Sequence, residues 1–169
     1  MTWIVVCEGP TLKGYEDITR ELVGKYKEHS IGVNFAPIAF DTKYWAFCDN
    51  GCWRPVLANI KPYQKVVCSF GTRYGNPRFR GEPAGVMREY TECSGNMAIA
   101  WAIRQGAKNI ITIGHDLTKD WQHYNGRPGK IQTDPYIKNV RRRFEELKQK
   151  GNIYSLNPQN TLGLPVWKY

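Results

Sequence analysis

Trp3-Ile4-Val5-Val6-Cys7, closed by Glu8-Gly9-Pro10, is a short apolar run ended by turn formers and reads as a buried strand followed by a tight turn. Past the turn, Ile18, Leu22 and Tyr26 recur every four positions between Glu16 and Lys27, which marks one face of a helix. Ile31–Asn34, Tyr44–Cys48 and Lys65–Ser69 read as three further strands, the last limited by Pro62 and Gly71. Ser94 is placed to cap a helix from about Gly95 to Gln105, stopped by Gly106. Met97 to Ile103 is apolar on every side, so this helix is expected to be buried all round. Asn109–Ile113 is a buried strand with Gly114-His115-Asp116 at its carboxyl end, and a polar loop follows through Trp121, His123, Tyr124 and Arg127. Asp134 and Pro135 suit an N-cap and first helical position. Ile137, Val140, Phe144 and Leu147 then make one apolar stripe, Gly151 ends it, and Ile153–Leu156 is a last strand. Strands alternating with helices predict an α/β, Rossmann-like fold, a mainly parallel sheet with helices on both faces. No internal repeat or dividing linker is visible, so residues 1–169 are expected to form a single nucleotide-binding α/β domain. One segment differs in kind: Gly71, Gly75, Gly81 and Gly85, with Pro77, Pro83, Arg73, Arg78, Arg80 and Arg88, predict a mobile Gly/Arg-rich loop over about 71–88.

The chain has 169 residues, which suits one domain of roughly 100–200 residues. Such a chain buries about 70% of the surface it exposes when unfolded and needs no metal or disulfide staple. With 41% apolar and 23% charged residues, nothing suggests disorder. The cysteines, Cys7, Cys48, Cys52, Cys68 and Cys93, are odd in number and mostly inside apolar runs, so they read as reduced, buried thiols rather than a secreted framework. A zinc site from Cys48, Cys52 and one of His115 or His123 is conceivable, but the C-x3-C spacing is not a usual zinc knuckle and core packing is the favoured reading. The apolar run at Trp3–Cys7 is too short for a signal peptide or a membrane span, which takes about 20 residues, and the expected location is cytoplasmic. A net charge of +9, from 24 Lys+Arg against 15 Asp+Glu, calls for anionic partners without choosing among nucleic acid, nucleotide and acidic glycan. It is concentrated in the 71–88 loop and in Lys138, Arg141, Arg142, Arg143, Lys148 and Lys150.

In an open parallel sheet the ligand crevice lies beyond the carboxyl ends of the strands. Glu8-Gly9-Pro10-Thr11, Asn34, Cys48-Asp49-Asn50 and Gly114-His115-Asp116 all map to that edge, and Ser94-Gly95 opens the buried helix. A helix amino terminus with a small residue lets a phosphate reach free N–H groups and the positive end of the dipole. Each cluster alone is an ordinary turn or cap; their convergence on one edge is what marks a binding site.

The order of these clusters carries a resemblance. Cys7-Glu8-Gly9-Pro10-Thr11-Leu12-Lys13 resembles the Gly-Asn-Gly-Pro-Ser-Leu-Lys opening of bacterial lipooligosaccharide sialyltransferases, and Asn34 in Gly32-Val33-Asn34 resembles their second-strand Asn. Cys93-Ser94-Gly95, Gly106-Ala107-Lys108 and Gly114-His115-Asp116 are similar to their Thr-Ser-Gly, Gly-Tyr-Lys and Gly-Ile-Asp series. His123-Tyr124-Asn125-Gly126-Arg127 resembles their His-Tyr-x-Gly-His, and Leu156-Asn157-Pro158-Gln159-Asn160 their Cys-Pro-Asn-Ser stretch. The same pattern resembles small phage-encoded proteins related to the archaeal 6-hydroxymethylpterin diphosphokinase-like family, which would place the chain in a host cytoplasm. The resemblance implies that Gly9, Pro10, Thr11, Asn34, Asp49, Ser94 and Gly95 hold a cytidine monophosphate moiety, with Tyr124 and Arg127 beside it. Two positions depart from the pattern: Glu8 stands for the family Asn, and Arg127 for the proposed catalytic His. Guanidinium stays protonated above a pKa of roughly 12 and cannot act as a base, although it can clamp a phosphate or carboxylate. His123 and Asp116 are then the acid/base candidates.

Three functions are compatible with this reading. The first is a nucleotide-dependent transferase moving a glycosyl or diphosphate group, with the arginine loop closing over the phosphates and Asp49 or Asp116 available to hold Mg²⁺. The second is a non-catalytic binding protein that sequesters a nucleotide or nucleotide-derived signal. The third is a weak nucleic-acid binder using the basic helix, with Trp121, Tyr124 and Tyr136 as stacking residues; Glu145 and Glu146 interrupt that helix and argue for a solvated face. The expected partner is a nucleotide or nucleotide sugar, no segment is expected to span a membrane, and a homo-oligomer is allowed.

Overall fold

The opening apolar run forms β1, Thr2–Val6, with every residue after Thr2 buried. Its side chains alternate between two core layers: Trp3, Val5 and Cys7 enter one, Ile4 and Val6 the other. A strand covered on both faces has no polar side to show, hence the unbroken run of apolar residues. β2 (Ser30–Val33), β3 (Tyr44–Phe47), β4 (Lys65–Ser69), β5 (Gly85–Met87), β6 (Asn109–Ile113) and β9 (Asn152–Ser155) complete a seven-stranded sheet in the order β5-β4-β3-β2-β1-β6-β9. Every pairing in it is parallel. β1 sits between β2 and β6, with Val6 paired to Gly32 on one side and Ile113 on the other. The strand order reverses there, and the crevice at such a reversal is where open α/β sheets bind ligands. This computed structural model describes residues 1–75, 83–118, 120–123 and 128–168.

α1 (Glu16–Lys25), α2 (Ala36–Ala39) and α3 (Trp53–Asn59) belong to one face of the sheet, where Leu22, Val23, Ala36 and Val56 join the core. On the other face lie α5 (Ser94–Arg104) and α6 (Asp134–Lys148). As expected from its composition, α5 is buried nearly all round, from Ser94 through Ala100 and at Ala102. α6 lays Val140, Phe144 and Leu147 against this layer and turns its charges outward. There Arg142 and Arg143 both pair with Glu146, Lys148 pairs with Glu145, and Arg143 and Lys150 gather on Tyr90.

Several elements differ from the sequence expectation. The segment expected to be one loop over 71–88 contains the end of α4 (Phe70–Gly75) and all of β5; 76–82 lie outside the described residues. β5 escaped notice because it has three residues and begins at Gly85, where a Cβ would run into the Trp101 ring. The polar stretch after β6 carries an antiparallel hairpin, β7 (Asp120–Gln122) with β8 (Pro128–Ile131). Two caps shift by one residue. The N-cap of α5 is Cys93 with Ser94 already in the helix, and that of α6 is Thr133 rather than Asp134. Among the described residues no helix is long and apolar enough to cross a membrane.

Candidate functional site

Residues leaving the carboxyl ends of β1, β2, β3 and β6 surround a cavity of about 600 Å³, closed on one side by the amino-terminal residues of α5 and α6. Its wall brings together six residues expected at a site: Asn34, Asp49, Ser94, Gly95, Asp116 and His123. Gly9, Pro10 and Thr11 are not on the wall but behind it. Tyr124 and Arg127 lie outside the described residues, as do Arg78 and Arg80.

The loops after β1 and β6 are locked to each other. The Gly9 N–H donates to the Gly114 carbonyl at 2.8 Å, and a Cβ at Gly9 would overlap that carbonyl and the Asp116 carboxylate. Asp116 accepts from the Thr11 N–H at 3.0 Å through one oxygen and from the Thr11 hydroxyl through the other. Burial raises the pKa of Asp116, and the two Thr11 donors oppose that rise. Asn157 donates to the Thr11 carbonyl at 2.7 Å, so the Asn-Pro stretch near the end of the chain braces the same turn. Leu117 follows with φ +46°, a conformation that non-glycine residues hold only when their surroundings impose it. Arg141 of α6 donates to the Leu117 carbonyl at 3.1 Å and the Thr161 hydroxyl to the Asp116 carbonyl, which supplies that constraint.

His115 points away from solvent into the interface between α5 and α6. It faces Asn96 Oδ1 at 2.9 Å and packs edge-on against Phe144. Because Asn96 Nδ2 donates to the Val140 carbonyl, its oxygen is left to accept, which places the imidazole proton on Nε2. The partner is thus a side chain of α5. Burial lowers the His115 pKa to about 4, and the ring is neutral at pH 7. Gly95 is what admits this ring, since a Cβ there would overlap Nδ1.

The amino terminus of α5 is less open to a phosphate than its sequence suggests. Ser94 Oγ accepts from the Cys48 N–H at 2.9 Å, which ties α5 to the end of β3. Burial raises the Cys93 thiol to about 11, while the Asn96 and Gly95 N–H groups directed at its sulfur pull the other way. Asn34 occupies the left-handed region at φ +54°, which Asn tolerates, and its carbonyl accepts from the Trp45 indole. Asp49 is exposed at the rim.

Glu8 is the wall residue whose role sequence reasoning did not foresee. It is 5% exposed, accepts from the Phe35 N–H at 3.2 Å and lies 3.6 Å from Nδ1 of His123, itself 9% exposed. The signal was present in the sequence as a carboxylate directly after a buried strand, where the resembling family carries an amide. The described wall also holds Asp49, Glu92 and Asp116 and no Lys or Arg. Among the described residues no three His, Cys, Asp or Glu side chains are arranged to hold a metal, and Cys48 contacts Met97 Sδ at 3.5 Å rather than a histidine. For Mg²⁺, Asp116 has both oxygens engaged by Thr11, which leaves Asp49 as the accessible carboxylate of the pair.

No protein-family profile and no curated protein sequence matches the chain. Two solved structures do. The monofunctional alpha-2,3-sialyltransferase Cst-I from Campylobacter jejuni superposes with a TM-score of 0.57 at 16% identity, covering 98% of this chain and 79% of that one. The sialyltransferase CstII from Campylobacter jejuni, solved in complex with the substrate analogue CMP-3FNeuAc, superposes with a TM-score of 0.57 at 15% identity, covering 98% of this chain and 86% of that one. What the chain shares with these proteins is their α/β, Rossmann-like fold.

Proposed function

We propose that the protein is a nucleotide-sugar-dependent glycosyl transferase working from the cavity at the strand ends. The observation that carries this reading is the position of that cavity, at the reversal of strand order, with a buried imidazole on its wall. Its volume of about 600 Å³ lies within the roughly 300–1,000 Å³ usual for small-molecule sites. The fold shared with two sialyltransferases, one of them solved with a CMP-sugar analogue, supports the same assignment.

In this proposal Asn34, Asp49, Ser94 and Gly95 flank the nucleotide, and Gly9, Pro10 and Thr11 shape the turn beneath it. Tyr124 and Arg127 complete the set, Arg127 as a phosphate clamp. An acceptor hydroxyl attacks the anomeric carbon, the bond from that carbon to the phosphate oxygen breaks, and the nucleotide leaves with the electron pair. His123 takes the acceptor proton, a role suited to imidazole because its ordinary pKa is about 6.5. Asp116, with both oxygens held by Thr11, positions the two loops rather than exchanging protons.

The experiment is incubation with cytidine and uridine nucleotide sugars, with and without Mg²⁺, followed by chromatography of the released nucleotide. His123→Ala should cut turnover about 100-fold or more while leaving affinity within a few-fold. Donors bound but left intact under every condition would identify a binding protein instead, and cleavage between phosphates would identify diphosphate transfer.

A further inference from the structure

We propose that Glu8 is a positioning residue for His123: its carboxylate holds the Nδ1 edge of the ring, so that proton exchange in the cavity takes place at Nε2. This rests on the reading of His123 as the group that takes the acceptor proton.

A carboxylate taken out of water is strongly destabilising unless it is paired and hydrogen-bonded. Glu8 is 5% exposed, yet it stands two residues past β1, in the line of apolar residues that builds the centre of the sheet. Its backbone is fixed by its neighbours, with the Cys7 N–H on the Ile113 carbonyl and the Gly9 N–H on the Gly114 carbonyl, both at 2.8 Å. Its side chain is fixed by the Phe35 N–H at 3.2 Å, at the entrance to α2. The carboxylate is therefore set in place by β1, β2 and β6 before any ligand arrives. His123, from a different part of the chain, is 9% exposed and brings Nδ1 to 3.6 Å from the same Oε2.

That geometry has two consequences. A carboxylate beside Nδ1 favours the tautomer with its proton on Nδ1 and a lone pair on Nε2. It also stabilises the imidazolium that forms when Nε2 takes a proton, because an opposite charge within about 4–6 Å favours the charged ring. The other titratable groups on the described wall are Asp49, Glu92, Asp116, His115 and Tyr136, besides the thiols. His115 is neutral at pH 7 and burial keeps the Tyr136 phenol protonated. Asp116 is turned onto Thr11. Glu8 is the wall carboxylate whose Oε2 lies 3.6 Å from the His123 ring.

The test is long-range proton–nitrogen NMR of the full-length protein labelled in its three histidines, with His123 assigned through His123→Asn. Neutral His123 should carry its proton on Nδ1. In Glu8→Gln its titration midpoint should fall by about one pH unit or more, and Glu8→Asp should recover part of that loss. On a competent donor, Glu8→Gln should lower kcat with little change in KM. A wild-type His123 protonated on Nε2, a reading that does not depend on Glu8→Gln folding, overturns the proposal. So does a midpoint unmoved in a folded Glu8→Gln. The spectroscopic result stands independently of turnover. If no donor is consumed while Glu8→Gln moves the midpoint, the transferase reading fails and the Glu8–His123 pairing holds.

Discussion

At the scale of single residues, the carboxyl edge of the sheet is held by polar contacts that leave little slack. Gly9→Ala would drive a methyl group into the Gly114 carbonyl and the Asp116 carboxylate. Overpacking of this kind costs about 1–3 kcal/mol, so its denaturant midpoint should fall accordingly with the slope unchanged. His115 makes the protein sensitive to acid in a defined window. Its folded pKa, about 4, lies below the ordinary 6.5, so the unfolded chain binds the extra proton first. Stability from this group is complete above pH 6.5 and is lost as the pH falls towards 4, by about 3 kcal/mol in all. Denaturant titrations between pH 7 and 4 should show that loss, and His115→Gln should flatten the curve. A wild-type curve flat across the window would mean that the ring is not buried and neutral.

At the scale of elements, the buried all-round α5 depends on its tie to β3 and its packing with α6. Ser94→Ala leaves the Cys48 N–H without its acceptor and should cost about 1–3 kcal/mol. Phe144→Ala empties the seam between α6 and the His115 ring and should cost about 3–5 kcal/mol; thermal or chemical melts check both. The long elements were legible because their signals are strong. β4 and β6 match the expected limits residue for residue and α5 matches to within a residue at each end, while α6 starts at Asp134 and stops at Lys148, short of Gly151; burial on one face leaves a periodic mark and burial on all sides an unbroken apolar run. Of the short ones, β2, β3 and β9 were legible as apolar runs, but α2, β5 and the hairpin were not. α2 has four residues and β5 three, too few for any period, and the β7–β8 hairpin lies in a polar stretch where cross-strand pairing leaves no apolar alternation. The site was legible as a set of turns at one edge but not as side-chain roles. What no local pattern encodes is the neighbours these residues meet inside the fold: Cys48 for Ser94, Thr11 for Asp116 and His115 for Gly95. Glu8 was visible only as a departure from a family motif, and its meaning appears once His123 is seen beside it.

At the scale of the whole molecule, the net charge of +9 is partly paired within the protein among the described residues. On α6, Arg142 and Arg143 pair with Glu146, Lys148 pairs with Glu145, Arg143 lies over the Tyr90 ring and Arg141 donates to the Leu117 carbonyl. Binding to duplex DNA should accordingly be weak and independent of sequence, with log affinity falling by about 0.9 per neutralised phosphate as log salt rises. Nanomolar affinity for one defined sequence at physiological salt would contradict this. The chemical interest of the molecule lies instead where the strand order reverses. The most direct test of that claim is the amide NMR spectrum during titration with cytidine and uridine nucleotides. Binding at the strand ends predicts shifts concentrated at Asn34, Asp49, Ser94, Gly95 and His123. No nucleotide binding below millimolar, or shifts confined to the outer face of α6, would contradict it.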